Sequence, residues 1–412
     1  FGESGSESVV KAGSYVASTS TDTSVYLGWE PQFIIIKRED GQTNWTMFDS
    51  MRGIPTGASD SYLYPNLTNS EYSAERLSLT PTGFIVDSGG GELVSANNGK
   101  YVYIAIRRND GYVGKPVELG TDVFGLGMSN ASSTTPCHVT NFITDFGIVK
   151  TPASSGSWYT GARLMGLHHV LTDSNAAEAN NTDYTWDSNT GFAKGNSTSW
   201  QHWAWKRHAG FDCITYKGDG VAGRQIPHSL SKSPEMIWVK CRADTGKDWW
   251  VYHKGMNGGT NPENYYVTLN TGNAETDQVE AWNDTAPTAT KFTLGSNAAV
   301  NSYDDDYIAM LFSSTAVSKV GYYDGSNSAQ TITTGFQPRF VLIRRVDTTG
   351  EWYVLDTVRG WGSGNDQYMK LENQFAQAAF DIGEPTSNGF EVSNGSPMWN
   401  GSGNKYIYYA HA

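Results

Sequence analysis

One pattern recurs four times along the chain, and it limits the fold more than any other feature of the sequence. Near the start of each copy, a run of apolar residues ends in a cation. Such a run is typical of a buried strand that reaches the edge of a sheet. The four runs are Phe33 to Lys37, Phe146 to Lys150, Met236 to Lys240 and Phe340 to Arg344.

A tryptophan follows each cation at a nearly fixed distance, which predicts a hairpin of constant length. These tryptophans are Trp45, Trp158, Trp249 and Trp352. Each copy also ends on an aromatic strand, and these strands recur at intervals of about 100 residues, at Tyr101, Trp200, Tyr307 and Tyr406. Because packing is the simplest reason to keep a position through duplication, we predict that these aromatic side chains belong to the core.

A unit of this length exceeds the repeats of solenoids and propellers and matches a small sandwich that buries its own core. Within each unit, apolar runs alternate with clusters of Gly, Asn, Asp, Ser and Thr, which predict strands and turns. We therefore expect an all-β chain of four tandem antiparallel β-sandwich domains with a jelly-roll-like arrangement. The predicted domains, called repeats 1 to 4 below, are residues 1–110, 111–208, 209–315 and 316–412, of which the second is diverged.

Charge and cysteine content argue against several classes of protein. The 412 residues include 42 acidic and 29 basic side chains, a net charge of -13, and no basic run that would bind nucleic acid or an anionic membrane. No stretch approaches the ~20 apolar residues of a membrane span. Three cysteines are too few for a disulfide framework. The chain starts at Phe1 without a signal-peptide pattern, which indicates a processed chain or an excerpt.

The first and fourth copies share an Asp-x-x-Arg-Gly turn. It comprises Asp49 and Arg52 in one copy and Asp356 and Arg359 in the other. We expect each carboxylate to cap backbone amides while the guanidinium binds the same carboxylate or nearby carbonyls. The predicted role of this turn is structural.

Taken together, these motifs resemble an uncharacterised repeat domain of large tail-fibre and other structural proteins of marine and cyanobacterial phages, which often stands beside concanavalin-like lectin domains. The resemblance covers almost the whole chain, is strongest in residues 317–412 and is weakest in about 119–207. It implies a virion component that contacts a host surface or other particle proteins, and it carries no catalytic residues. The motifs concerned are Gly335 to Arg345, Trp352 to Gly360, Gly389-Phe390 and a closing strand like Trp203 to Lys206.

Two groups of residues are candidate metal ligands. Asp304, Asp305 and Asp306 offer hard oxygen atoms that suit calcium, although the same positions in other copies are plain turns. No other cofactor is expected. Repeat 2 contains histidines that suit zinc but lack a diagnostic spacing, so a polar loop is the alternative. These are His168, His169, His202 and His208.

Three tryptophans lie outside the repeated pattern. Trp282, Trp361 and Trp399 fall in segments rich in Gly, Asn and Ser, without counterparts in the other copies. Loop aromatics of this kind are candidates for contact with a ligand or a neighbouring protein. We predict that they form the binding residues and that Trp361 is partly exposed.

These observations predict a non-enzymatic structural or adhesive virion component, such as a tail-fibre, receptor-binding or particle-decorating protein. Its expected partners are other virion proteins, a host surface glycan or receptor, and further copies of itself. The alternative is a secreted or cell-surface lectin-like adhesin located outside the cell. A glycan-degrading enzyme is a third class, since a pair of catalytic carboxylates is not recognisable among so many acidic residues. Sandwich folds host all three classes.

Overall fold

The computed structural model describes residues 9–107, 117, 119–130, 136–195, 197–393 and 396–412. Its regular structure is almost entirely β-strand, and all strand pairs are antiparallel, so the predicted all-β class is confirmed. Two helices of one turn each interrupt the third repeat, α1 at Val279–Trp282 and α2 at Ala298–Asn301. No helix in the described part of the chain is long and apolar enough to cross a membrane.

Repeats 1 and 2 contain the first 17 strands. The strands of repeat 1 are β1 Val10–Val16, β2 Thr23–Tyr26, β3 Pro31–Arg38, β4 Thr46–Asp49, β5 Asp60–Leu63, β6 Tyr72–Ala74, β7 Leu77–Thr80, β8 Gly83–Val86 and β9 Lys100–Arg107. Those of repeat 2 are β10 Phe124–Met128, β11 His138–Val139, β12 Phe146–Lys150, β13 Tyr159–Ala162, β14 His168–Leu171, β15 Ala179–Asn180, β16 Gly191–Phe192 and β17 Gln201–Trp205.

Repeats 3 and 4 contain the remaining strands. Those of repeat 3 are β18 Phe211–Lys217, β19 Arg224–Pro227, β20 Met236–Cys241, β21 Trp250–His253, β22 Tyr265–Thr268, β23 Thr276–Asp277, β24 Lys291–Leu294 and β25 Asp306–Phe312. Those of repeat 4 are β26 Ser318–Asp324, β27 Gln330–Thr333, β28 Phe340–Arg345, β29 Tyr353–Asp356, β30 Asp366–Lys370, β31 Ala378–Phe380, β32 Pro385–Thr386, β33 Gly389–Val392 and β34 Lys405–His411.

The same sheet order occurs four times, once within each repeat. Each repeat has a six-stranded sheet, in which the first strand pairs with the last and the last pairs with the strand that ends in the cation. The orders are β1-β9-β3-β4-β5-β6, β10-β17-β12-β13-β14-β15, β18-β25-β20-β21-β22-β23 and β26-β34-β28-β29-β30-β31. The smaller second sheets are β2-β8-β7, β11-β16, β19-β24 and β27-β33-β32.

Strand register makes the repeated residues structurally equivalent. The cation of each repeat pairs with the residue directly after the closing-strand aromatic, as Lys37 pairs with Val102 and Arg344 with Ile407. The backbone amide of the repeated tryptophan also has an equivalent partner, a side-chain oxygen after the fifth strand of its own sheet. These acceptors are Asn66, Asp173, Asn270 and Glu372. Trp45 therefore occupies the position of Trp352, as predicted.

The six-stranded sheet of each repeat has an inner face and an outer face, because side chains along a strand alternate between its two sides. The inner face packs against the smaller sheet of the same repeat and forms a separate core there. In repeat 1, for example, Ile34, Ile36 and Phe48 pack in one cluster with Val25 and Phe84. This layer is the predicted sandwich.

The outer faces of repeats 2, 3 and 4 form a single shared core. Trp158, Trp249 and Trp352 lie within it and are at most 1% exposed. The expectation that each repeat buries only its own core is therefore incomplete, because sheets that are apolar on both faces need a second layer. Division into four independently folding domains stays a prediction, and the boundary at residues 110 and 111 lies outside the described residues.

Three equivalent hydrogen bonds connect repeats 2, 3 and 4 in a cyclic order. The indole Nε1 of Trp158 donates to the carbonyl oxygen of Lys370 in repeat 4 at 3.0 Å. In repeat 4, Nε1 of Trp352 donates to Thr268 at 3.1 Å, and in repeat 3, Nε1 of Trp249 donates to Leu171 at 2.8 Å. The acceptors are equivalent, since each pairs with the residue after the local tryptophan.

Backbone bonds at the same three junctions repeat this cyclic order. The amide nitrogens of Gly156, Gly246 and Gly350 donate to carbonyls of the next repeat at 2.8 to 2.9 Å, at Gln374, Asn175 and Gly272. Bonds in the opposite direction, each of 2.8 Å, run from Gln377 to Pro152, from Glu178 to Arg242 and from Glu275 to Val346. Three copies of one interface thus close into a ring with approximate threefold symmetry.

Repeat 1 packs against the side of this ring and is not part of it. Thr56 of repeat 1 contacts both repeat 2 and repeat 3. Its backbone amide donates to the carbonyl of Leu164 in repeat 2 at 3.0 Å. The Thr56 hydroxyl lies 2.8 Å from the hydroxyl of Thr215 in repeat 3. Arg207 of repeat 2 completes the junction through a 2.8 Å ion pair with Glu30 of repeat 1. The outer face of repeat 1 remains outside the shared core.

The Asp-x-x-Arg turn has the predicted geometry in both copies. Asp356 accepts bonds from the Arg359 amide at 3.0 Å and from its Nε at 2.7 Å. Asp49 binds Arg52 in the same way, at 2.8 and 2.5 Å. In repeat 4 the carboxylate also accepts a 3.1 Å bond from Nε1 of Trp203 in repeat 2, so this turn supports the junction between repeats.

Replacing the buried arginine of this turn tests its structural role. We expect Arg359→Ala to lower the free energy of unfolding by about 1 to 3 kcal/mol, because it leaves the fully buried Asp356 carboxylate without its cation. Thermal and chemical denaturation measure the effect. Arg52→Ala is the matched control, since the Arg52 side chain is 18% exposed and its loss should cost about 1 kcal/mol or less. Equal losses in the two variants would contradict this prediction.

Candidate functional site

The three tryptophans predicted as binding residues are buried. Trp282, Trp361 and Trp399 are 2%, 4% and 3% exposed, so the prediction that they present their rings to a ligand, and that Trp361 is partly exposed, is wrong. Trp282 packs in the inner core of repeat 3, and the other two pack in that of repeat 4. The smaller sheets have only two or three short strands, so Trp282 at the end of α1 and the loop residues Trp361 and Trp399 cover the rest of the wider sheet.

The three consecutive aspartates do not form the predicted calcium site, because their side chains meet different surroundings. Asp304 is exposed and pairs with Lys217 at 3.3 Å. Asp305 lies beside the Cys241 thiol, at 3.8 Å. Asp306 faces a cleft between repeats 1 and 3. Among the described residues, the histidines of repeat 2 included, no group of three His, Cys, Asp or Glu side chains is arranged to hold a metal ion.

This cleft between repeats 1 and 3 is the candidate site. One part has a volume of about 390 Å³ and is acidic, with four carboxylates and the single cation Lys217. The adjoining part, of about 200 Å³, has mainly apolar walls. Its walls come from both repeats and include Leu79, Pro81, Ile85, Tyr216, Ile226 and Pro227. The carboxylates are those of Asp22, Glu75, Asp87 and Asp306.

Two of these carboxylates keep buried oxygen atoms free for a ligand. Oδ2 of Asp87 and Oδ1 of Asp306 have no hydrogen-bond partner within the described part of the chain. Gly57 permits the approach of repeat 1 to Asp306, because its φ of +69° favours glycine and a Cβ there would lie 2.6 Å from Oδ2. Buried polar atoms normally have a partner, so unpartnered oxygens in a cleft indicate a place where a ligand donor binds.

Asp87 is the electrostatically unusual residue of the cleft. Burial first, and then the negative charges of Glu75 and Asp22, together raise its pKa to about 7 against the opposing effect of Lys217. Near neutral pH it therefore exchanges between a carboxylic acid that donates a hydrogen bond and a carboxylate that only accepts. Perturbed carboxyl groups in clefts are typical of binding and catalytic sites.

The cleft favours a defined class of ligand. Its negative charge attracts cations and disfavours anions, and the carboxyl oxygens accept hydrogen bonds from hydroxyl groups. The apolar walls suit the flat face of a sugar ring or an aliphatic group. Sequence reasoning identified only Asp306 of this set, because the cleft joins residues from repeats 1 and 3 that no local motif connects.

The raised pKa of Asp87 predicts a pH-dependent effect of Asp87→Asn. Between about pH 4 and pH 7 the native Asp87 retains a proton that the unfolded chain releases, so its contribution to stability falls as the pH rises through this range. We expect Asp87→Asn to stabilise the protein by about 1 kcal/mol at pH 8, after allowance for solvent screening, and to have little effect near pH 4. Unfolding at both pH values measures this, with the exposed Asp187→Asn as control. A gain that is larger at pH 4 would contradict it.

The architecture and the cleft define an all-β protein of four antiparallel sandwich repeats, three of them closed into a ring, with an acidic cleft between repeats 1 and 3. The chain belongs to the family described as Domain of unknown function (DUF7483), whose model matches residues 6–109 and 160–412. The longest unmatched stretch, residues 110–159, lies almost entirely in repeat 2.

Other comparisons add no functional information. No curated protein matches the chain. Among solved structures, the LG1-3 region of the laminin alpha2 chain aligns with 97% of this chain and 88% of its own length, at 9% sequence identity and a TM-score of 0.07. A similarity this low carries no argument about fold or function.

Proposed function

We propose that this protein is a structural and adhesive component of a phage particle that acts by non-covalent binding. The observation that supports this most is the location of the repeated residues in the structure. The tryptophans that define the motif of repeats 2 to 4 lie in the contacts between repeats. Two of the three cations also bond the neighbouring repeat, Lys150 at the carbonyl of Gln374 and Arg344 at that of Thr271. Duplication therefore builds a rigid multi-repeat body, which suits a particle component that bears mechanical load.

The location of the chain in particles tests this proposal. Particles from the source culture are separated from free protein on a density gradient, and an antibody against the chain is applied to both fractions. We expect the chain to sediment with intact particles and immunogold to label a tail or capsid structure. Recovery of the chain only in the particle-free fraction would contradict the proposal and favour the secreted adhesin.

Carbohydrate binding is the second candidate function, and the cleft between repeats 1 and 3 is the observation that favours it. Its free carboxyl oxygens and apolar walls match the hydroxyl groups and ring faces of a neutral glycan. A glycan array with the purified chain, with Asp306→Asn beside the wild type, tests this. We expect binding to a neutral or amino sugar that Asp306→Asn weakens at least about 10-fold, the effect of losing a charged hydrogen-bond acceptor. Binding that Asp306→Asn leaves unchanged would exclude the cleft.

A polysaccharide that binds in the array can also show whether the chain only binds glycans or cleaves them. Asp87 and Asp306 are two carboxyl groups in one cleft, and one of them has a raised pKa, as a general acid requires. Incubation of array-positive polysaccharide with the chain, followed by measurement of reducing ends, distinguishes the two activities. We expect no release, and release that Asp87→Asn abolishes would replace the adhesin by a glycan-degrading enzyme.

A further inference from the structure

The outer face of repeat 1 is apolar and is not covered by the described part of the chain, unlike the same face in the other three repeats. Trp45 and Val102 are 38% and 37% exposed on this face. The neighbouring apolar side chains are only half-buried, namely Phe33, Ile35, Met47, Leu63, Ile104 and Ile106. Contiguous apolar surface of this kind marks an interaction site on a soluble protein.

Register identifies what covers the equivalent residues elsewhere in the chain. Ile35 pairs with Ile104 at the centre of this face. The equivalent pairs in the other repeats all lie in the shared core, where outer faces of repeats cover one another. These pairs are Ile148 with Trp203, Trp238 with Met310 and Leu342 with Tyr409.

Trp45 shows the difference most clearly. Each of its three equivalents donates its indole N–H to a carbonyl of the next repeat. The Trp45 indole has no hydrogen-bond partner in the described part of the chain, although its backbone amide keeps the equivalent bond to Asn66. The loop from Pro65 to Glu71 corresponds to the loops after the fifth strands of repeats 2 to 4, which contact the neighbouring repeat in the ring. All of its residues are exposed. Repeat 1 thus has both halves of the ring contact, and among the described residues neither half bonds to another repeat.

We infer that repeat 1 is a homotrimerisation module, in which the outer faces of three chains pack around a threefold axis as those of repeats 2, 3 and 4 do within one chain. The contacts among repeats 2, 3 and 4 specify the equivalent contacts between the first repeats of neighbouring chains. The Trp45 indole donates to the carbonyl of Tyr64, which is the residue that corresponds to Leu171, Thr268 and Lys370. The amide of Glu71 donates to the carbonyl of Glu39, as Gln377 does to Pro152.

A second copy of the chain is the occupant that the structure favours. In the ring, the tryptophan of one repeat donates to a carbonyl at the loop after the fifth strand of the next repeat. Repeat 1 has both the tryptophan and this loop, so identical chains can form these bonds with one another in a closed ring. The ring closes at three members in the one case that the chain itself provides. The other outer faces are already buried and are not available to cover repeat 1.

This inference is independent of the proposed function, because it concerns only the self-association of the chain. A monomer would contradict the trimer without affecting particle or glycan binding. Conversely, a trimer that fails to associate with particles would contradict the proposed function alone.

Sedimentation equilibrium of the full chain at micromolar concentration tests the inference. We expect three times the 45.0 kDa chain mass. Ile35→Glu places a charge at the centre of the interface and should shift the mass to that of one chain without changing the far-UV circular dichroism. Tyr26→Glu is the matched control, because Tyr26 is 75% exposed on the smaller sheet of repeat 1 and should leave the trimer intact. A wild-type monomer or dimer, or a trimer that survives Ile35→Glu, would overturn the inference.

Cross-linking tests the direction of the contact. The double variant Glu39→Cys and Glu71→Cys should form a covalent closed trimer on oxidation, seen as one band on a non-reducing gel. Each single variant lacks the matching thiol on the neighbouring chain and should stay uncross-linked, since the three natural cysteines are buried. A dimer band from a single variant would indicate a twofold contact and would overturn the threefold arrangement.

Discussion

Replacing Trp352 by alanine should lower the free energy of unfolding by about 3 to 5 kcal/mol, the cost of removing a buried aromatic side chain from a packed core. The Trp352 ring is 1% exposed and lies 5.0 Å from the Arg344 guanidinium. Its indole N–H also connects repeat 4 to the carbonyl of Thr268 in repeat 3. The variant therefore loses core packing and a junction between repeats together.

Chemical denaturation followed by circular dichroism measures this loss. Tyr303→Ala is the control, because Tyr303 is 79% exposed and its removal should change stability by no more than about 0.5 kcal/mol. A similar small change for Trp352→Ala would mean that the shared core contributes little, and the central role of the ring would then be wrong.

Arg207→Ala should lower the free energy of unfolding by about 3 to 5 kcal/mol, because removing one member of a buried ionic network leaves the remaining charges buried and unpaired. The Arg207 side chain is 3% exposed and binds Asp212 of repeat 3 at 2.7 Å and Glu30 of repeat 1 at 2.8 Å. Its backbone amide donates to Asp145 at 2.8 Å. Three repeats thus meet at one arginine.

The same denaturation experiment measures the effect. Arg38→Ala is a suitable control, since Arg38 forms a single pair with Asp40 at the surface and such pairs contribute about 1 kcal/mol or less. We also expect Arg207→Ala to loosen repeat 1, seen as faster backbone hydrogen exchange at Glu30 and Thr56. Unchanged exchange at these residues would show that the network does not hold repeat 1 in place.

The strand framework could be predicted from the sequence because it depends on local information. Apolar runs, turn residues and the fixed spacing from Lys37 to Trp45 are all short-range features, and duplication presents them four times. The register of Trp45 with Trp352 follows from the same spacing. The closing strands were recognisable for the same reason.

The relations between repeats could not be predicted, because they depend on tertiary packing. Trp45 has the motif of a core residue but is 38% exposed, since burial requires neighbouring repeats that only repeats 2 to 4 have within the chain. Trp361 has the sequence context of an exposed loop but fills the inner core, since the smaller sheet leaves that position open. Asp87 and Asp306 meet only because repeats 1 and 3 pack together.

A cryo-electron microscopy reconstruction of the purified chain tests most directly whether the repeated outer face is an association surface. We expect three chains around a threefold axis, with the outer faces of their first repeats in contact and the Trp45 indole within hydrogen-bond distance of the Tyr64 carbonyl of the neighbouring chain. A reconstruction in which the outer face of repeat 1 is exposed to solvent, or in which chains associate through another surface, would contradict this view of the molecule.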